Sequence, residues 1–268
     1  MQKANRLYVE RRRNLFCEMQ FCGKIPSEKE RKNMTDTLII IIKCLAAILV
    51  GVFAGNGAVY FFNKMPAQWL CDYDEEPSDA LKDPYTQRIK SYPWKFILTM
   101  LFVVIDIKLV IDDWQFAVAA VCSLWLLLEI AVADAKYRIV PDQLVLLLAV
   151  TAMGFIAFHD GWKDCLYGGL AGFGIMGATA LLGKLAYCRD TLGGGDIKLF
   201  AALGLIAGLR GILLIFVMTT LFSAGHLIWL LVRKKIQRTD TVAMAPYIAL
   251  AAAIHLIFLW DYMPVLLL

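Results

Sequence analysis

The sequence is short of the charge that a soluble domain needs on its surface. Only 19% of its 268 residues are charged, while 60% are hydrophobic and the mean hydropathy is +0.63. Soluble domains hold roughly 45–50% apolar residues, so an ordinary water-soluble globule is excluded. Short segments of alternating polarity are missing as well, which excludes a transmembrane barrel. The seven cysteines, Cys17, Cys22, Cys44, Cys71, Cys122, Cys165 and Cys188, form no C-x-x-C pair. A zinc ribbon and a thioredoxin-like redox pair are thereby disfavoured, and cysteines in or beside apolar runs behave as small hydrophobes. The net charge of +4 is scattered over the loops without a basic stripe, so nucleic acid is not an expected partner. There is no small-x-small cleavage site behind the first apolar run, no soluble-domain repeat and no low-complexity linker.

What the chain does have is apolar runs long enough to span a bilayer, which takes about 20 helical residues. The fold class that follows is all-α, a polytopic transmembrane helix bundle of about eight spans with the lipid bilayer as its surroundings. The runs lie near 38–62, 94–111, 114–133, 141–158, 165–187, 196–207, 211–232 and 242–262, the sixth being short. Three parts are expected. Residues 1–33 form a polar, basic N-terminal tail, either disordered or a mis-assigned start, since Met34 is itself a natural start. Residues 34–93 hold the first span and an acidic loop with Asp72, Asp74, Glu75, Glu76, Asp79 and Asp83. Residues 94–268 form the membrane-embedded core.

Lys and Arg in short loops set the orientation. Lys136 and Arg138 follow the third run, Arg189 the fifth, and Arg233, Lys234, Lys235 and Arg238 the seventh. Odd-numbered loops are therefore expected on the cytoplasmic side of the cell membrane. The basic tail then falls on the outer face and breaks the rule, which favours Met34 as the start.

Two aspartates stand out in this setting, because an ionisable residue at membrane depth is costly and points to function. Asp196 follows Gly193, Gly194 and Gly195 at the head of an apolar run. Glycines permit φ > 0 and leave no Cβ in the way of an approaching chain; Asp196 as a plain N-cap is the structural alternative. Asp134 ends the third run, followed by Ile139-Val140-Pro141-Asp142. An even number of crossings separates the two aspartates, so both face the cytoplasm. Carboxylates that meet share a proton. One can then serve as base on a water while its protonated partner polarises a peptide carbonyl. Lys198, two residues beyond Asp196, points off that face of the helix and is read as snorkelling or as fixing the helix, a catalytic role being the alternative. Pro141 suits the first position of the fourth helix, with Asp142 structural. Asp106 and Lys108 are expected to snorkel at the outer end of the second run. The glycines Gly168, Gly169, Gly172, Gly174 and Gly177 suggest close helix packing.

The combination of Asp134 and Pro141-Asp142 with Gly193-Gly194-Gly195-Asp196-Ile197-Lys198 resembles the prepilin peptidases, also called type IV leader peptidases. These are intramembrane aspartic proteases of the Gly-x-Gly-Asp kind. Gly51 to Asn56 with Met65-Pro66, Tyr92-Pro93 and Ala245-Pro246-Tyr247 support the likeness. The resemblance implies an aspartic endopeptidase with Asp134 and Asp196 as catalytic pair. Gly193, Gly194, Gly195, Lys198, Pro141 and Asp142 are then its motif and substrate-facing residues. It implies prepilin or pseudopilin-like substrates of type IV pilus or secretion systems, cut after a glycine at the cytoplasmic membrane face. Proteolysis needs no cofactor and no metal. Where many members carry two cysteine pairs after the first span, this chain has Cys71 alone. A four-ligand metal site and an N-methyltransferase activity using S-adenosylmethionine are therefore not expected. Alternatives are a preflagellin- or signal-peptide-type Gly-x-Gly-Asp protease, or a transporter relaying protons or a cation through the two aspartates.

The acidic loop either attracts the basic leader or is simply solvated. If it attracts, neutralising those acids weakens leader binding most at low salt, because screening grows with ionic strength. Processing that stays unchanged at low ionic strength removes the idea.

Overall fold

The computed structural model describes residues 28–71, 76–77, 81, 87–187, 192–233 and 242–262, with side chains from residue 35 onward. The basic segment 1–27, most of the acidic loop and the loop cations Arg189, Lys234, Lys235 and Arg238 lie outside the described residues. The chain divides into two compact units, Met1–Lys43 and Cys44–Leu268. In the first, residues 28–43 are helical, and Leu38 to Ile42 are exposed apolar side chains, as befits lipid contact. All contacts below lie within the second.

The described residues form seven α-helices and no strand. They are α1 (Glu28–Lys64), α2 (Ser91–Asp112), α3 (Trp114–Tyr137), α4 (Asp142–Thr151), α5 (Trp162–Tyr187), α6 (Gly194–Val232) and α7 (Ala245–Ile254). A 3₁₀ segment, Ala152–Phe158, prolongs α4, and a π-turn, His255–Leu259, prolongs α7. Stretches of α1, α3, α5 and α6 are each long and apolar enough to cross a membrane. The architecture is that of an all-α, multi-pass membrane protein.

Each expected apolar run falls on a helical element, but the sixth and seventh share α6. That element is 39 residues long, about 58 Å if straight at 1.5 Å per residue. It is not straight. Phe200 and Phe216 would lie about 24 Å apart along a continuous helix, yet their rings meet at 6.2 Å. The chain therefore doubles back between them. The reversal occurs at Gly208, with φ 68° and ψ −178°, a region essentially restricted to glycine. His159 and Asp164 brace the bend. His159 bonds the Ile206 carbonyl at 2.9 Å and Asp164 at 3.0 Å, while Asp164 accepts from the Leu209 N–H at 3.4 Å.

Small residues let the helices approach. A Cβ on Gly168 would sit 2.2 Å from the Gly204 carbonyl, and one on Gly172 2.3 Å from that of Phe200. α5 and the first arm of α6 thus touch backbone to backbone. Gly174 and Gly177, grouped with them in the sequence, face open space and take no part. Gly51 and Gly55 bring α1 against α2 near Val103 and Thr99 in the same way. α2 passes to α3 through Asp113 alone, whose carboxylate accepts from Gln115 N at 2.8 Å and Phe116 N at 3.4 Å as an N-cap.

Fully buried side chains come from nearly every element, among them Phe62 of α1, Ile130 of α3, Leu144 of α4, Met176 of α5, Leu199 and Ile212 of α6 and Ile248 of α7. Leu170, Leu181, Leu182 and Leu185 of α5 are exposed instead. A helix packed in lipid has no hydrophobic reason to hide such residues. Asp106 does not snorkel. It is 1% exposed and neither carboxylate oxygen has a partner, because this face of α2 turns into the bundle. Lys108 follows the expectation only in part, pairing with Asp112 at 2.7 Å on its own helix.

The reversal at Gly208 yields a direct expectation. Gly208→Ala introduces a methyl 2.4 Å from Asp164 Oδ2 in a conformation L-residues avoid. It should cost on the order of 1–3 kcal/mol from the backbone alone. Thermal unfolding in detergent should show a clearly lowered Tm; an unchanged Tm contradicts the bend.

Candidate active site

Asp134 lies in the last turn of α3, and the way that helix ends fixes it. Arg138 adopts the left-handed conformation, φ 59°, and its N–H bonds the Asp134 carbonyl at 2.8 Å. This is a C-terminal cap of the αL type. The side chain of Asp134 points elsewhere. Its Oδ2 accepts the N–H of Ala245, the first residue of α7, at 2.7 Å. A helix start presents free N–H groups and partial positive charge, so α7 holds the carboxylate at the end of the bundle. Asp134 is 6% exposed.

Asp196 is held by its own helix start. Gly193 is the N-cap of α6, and Asp196 N–H bonds the Gly193 carbonyl at 3.1 Å. Asp196 is thus the third helical residue, so the alternative of a plain N-cap is overturned. The glycines act through space rather than through φ: Gly193 has an ordinary φ of −71°, and none of the three lies in the left-handed region. A Cβ on Gly195 would lie 2.7 Å from the Val140 side chain, so this glycine lets the segment after Asp134 close over the start of α6. Around Gly194 there is open space, and a Cβ on Gly193 would make only ordinary contact with Asp196 Oδ2. Asp196 is 9% exposed and its Oδ1 has no protein partner.

The two carboxylates belong to one site, at the end of α3 and the start of α6. Both line one cavity of about 830 Å³. Pro141, Asp142, Gly193, Gly194, Gly195 and Lys198 line it too, so the structure gathers all eight residues marked in the sequence. Pro141 sits at the N-cap of α4 rather than at its first helical position, one residue earlier than expected. Asp142 is more than a helix opener. Lys198 donates to both its carboxylate oxygens, at 2.9 and 2.7 Å. Lys198 therefore fixes the helix, one of the readings made for it. With Lys198 about half exposed, such a pair adds only about 0–1 kcal/mol; it orients α4 against α6.

On the other side of the cavity only Glu76, from the acidic loop, is marked by residue type. Gln68, Trp69, Glu76 and Pro77, from the chain after α1, line it as well. That chain is pinned at its base: Asn63 bonds Ile89 through both main-chain groups, at 2.8 and 3.0 Å. Arg88 donates to the carbonyls of Phe62, Met65 and Leu81, and Lys136 of α3 donates to that of Arg88. Such main-chain anchoring leaves no mark in residue patterns. The Ala245 N–H is equally silent, since Ala245-Pro246-Tyr247 is marked only by the family likeness.

Asp134 thus has a structural duty that can be separated from chemistry. Asp134→Ala strands the Ala245 N–H, a loss of about 1–3 kcal/mol for a buried unsatisfied donor. Asp134→Asn keeps an amide carbonyl as acceptor and should unfold close to the parent. Equal Tm values for the two variants in detergent would argue against the cap.

Residues 120–228 match the type IV leader peptidase family. The curated relatives include three named prepilin leader peptidase/N-methyltransferase. The one from Xanthomonas campestris pv. campestris is 30% identical over 175 residues, 63% of this chain and 58% of the relative. That from Escherichia coli is 31% identical over 136 residues, 49% of this chain and 59% of the relative. That from Aeromonas salmonicida is 27% identical over 169 residues, 62% and 58%. The chain thus spans less than two thirds of the length of the relatives it matches. No solved structure matches it. Over the core that holds both Asp134 and Asp196, this chain is similar to the type IV leader peptidase family.

Proposed function

We propose that the protein is an aspartic endopeptidase that removes the basic leader of prepilin or pseudopilin-like substrates. The bond cut follows a glycine, at the cytoplasmic face of the cell membrane. The observation that carries this reading is that Asp134 and Asp196, distant in sequence, line one cavity at one end of the bundle. The family relation supports the substrate class.

Two carboxylates brought together over one peptide bond favour a state with one proton between them. The ionised member takes a proton from a water, whose oxygen attacks the peptide carbonyl carbon. The protonated member donates to the carbonyl oxygen, giving a tetrahedral intermediate. That intermediate collapses as a proton passes to the leaving nitrogen, and the C–N bond breaks. The pair works as a unit, so neither role is fixed to one residue. The Ala245 N–H holds Asp134 in place, while Asp196 Oδ1 is buried and not committed to a protein donor. The two side chains and water suffice; no cofactor takes part, and methyl transfer is not included in the proposal.

Purified protein in lipid should cleave a prepilin-like peptide, and Asp134→Asn and Asp196→Asn should each lower kcat by at least about 10³-fold, in the range seen on removing members of catalytic pairs. A chelator should leave the rate unchanged. Full cleavage by either variant rejects the pair, and cleavage lost on chelation rejects the metal-free reaction.

A further inference from the structure

Where the cavity reaches α4 and α6, a second depression of about 440 Å³ begins. α4 supplies to it the i, i+3, i+4, i+7 stripe that starts at Asp142, and the first arm of α6 supplies the same stripe starting at Lys198. Residues so spaced lie on one helix face, so the depression is a groove along two neighbouring helices. From i to i+7 is about 10 Å of helix, room for two turns of a third. Ala149, Ala201 and Ala202 make it deep, while Leu146 and Phe173, both exposed, form apolar walls. Apart from Asp142 and Lys198, every residue lining it is apolar.

Those two residues line the cavity as well as the groove, and their ion pair joins the two helices at the junction. On one side lies the polar chamber with Asp134 and Asp196; on the other, an apolar trough runs on to Ala149 and Leu205. A polypeptide that is polar up to the cut bond and an apolar helix after it matches this change of character at the right place.

We propose that the groove between α4 and α6 seats the first two turns of the apolar helix that follows the cleaved bond, with the Asp142–Lys198 pair marking the threshold. The proposal rests on the peptidase reading above and adds to it the element that recognises the substrate's membrane segment. Selection would then come from packing on both sides of the threshold, since lipid is as apolar as the groove and only shape distinguishes them.

The test uses the full chain in phosphatidylethanolamine and phosphatidylglycerol vesicles with two synthetic peptides. Both carry a basic leader and a glycine; one continues into a 20-residue apolar helix, the other stops four residues after the glycine. Ala201→Phe fills the groove. It should reduce the preference in kcat/KM for the long peptide over the short one by at least tenfold, mainly through KM. In the unsubstituted protein, a benzoylphenylalanine five to eight residues after the cut bond should cross-link to α4, the first arm of α6 or Phe173 of α5, the three elements that line the groove. Cross-links on other helices, with cleavage intact, overturn the groove and leave the peptidase standing. A preference unchanged in Ala201→Phe also overturns it and leaves a lipid chain as the occupant. If Ala201→Phe lowers both peptides alike, the variant is damaged and the cross-links decide. Unsubstituted protein that cuts neither peptide sinks the peptidase reading, and this occupant with it.

Discussion

The bond from the Ala245 N–H to Asp134 Oδ2 ties together elements the chain keeps far apart. It joins the end of α3 to the start of α7, and it does so inside the bundle end where Asp196 also sits. A buried carboxylate without a partner is costly; a helix start without acceptors is also unsatisfied. Each resolves the other's problem, so the packing of α7 against α3 and the placement of one site carboxylate are a single event. The left-handed Arg138 completes the arrangement by ending α3 directly after its last turn and sending the chain toward Val140 and Pro141.

The second carboxylate depends on backbone approach. Gly168 and Gly172 of α5 meet Gly204 and Phe200 of α6 with no room for a side chain, which sets the height of the first arm and therefore of Asp196 near its head. Gly208 turns the chain back immediately below, so this arm is held between α5 and the returning arm. Gly195 then lets Val140 close in from the α3 side. Glycine thus serves three purposes here: close packing of helices, reversal of a helix, and clearance beside a site residue. Only the reversal uses glycine's special backbone freedom.

The protein's two kinds of surface follow from its solvent. In lipid the outward face of a helix can be as apolar as the inward one, and α5 shows this with exposed leucines opposite its glycine contacts. Polar residues consequently collect at the ends, around the cavity and around the brace of His159 and Asp164 at Gly208. Asp106 and Glu129, each buried with at least one unpartnered carboxylate oxygen, depart from that pattern, and nothing in the structure explains them.

Much was legible in the residues alone. Run length and composition determine helices, because a backbone in lipid must satisfy its own hydrogen bonds. The number of runs between Asp134 and Asp196 determines that both lie at one end. The motif residues from Pro141 to Asp142 and from Gly193 to Lys198 marked the cavity they line. Three things were decided only by tertiary structure: that Ala245 offers the N–H for Asp134, that Lys198 answers Asp142, and that the chain after α1 forms one side of the cavity. These are contacts between backbone groups and side-chain directions of residues remote in sequence. Hydropathy cannot report them, since it sums to the same value whichever face of a lipid-bathed helix is turned inward.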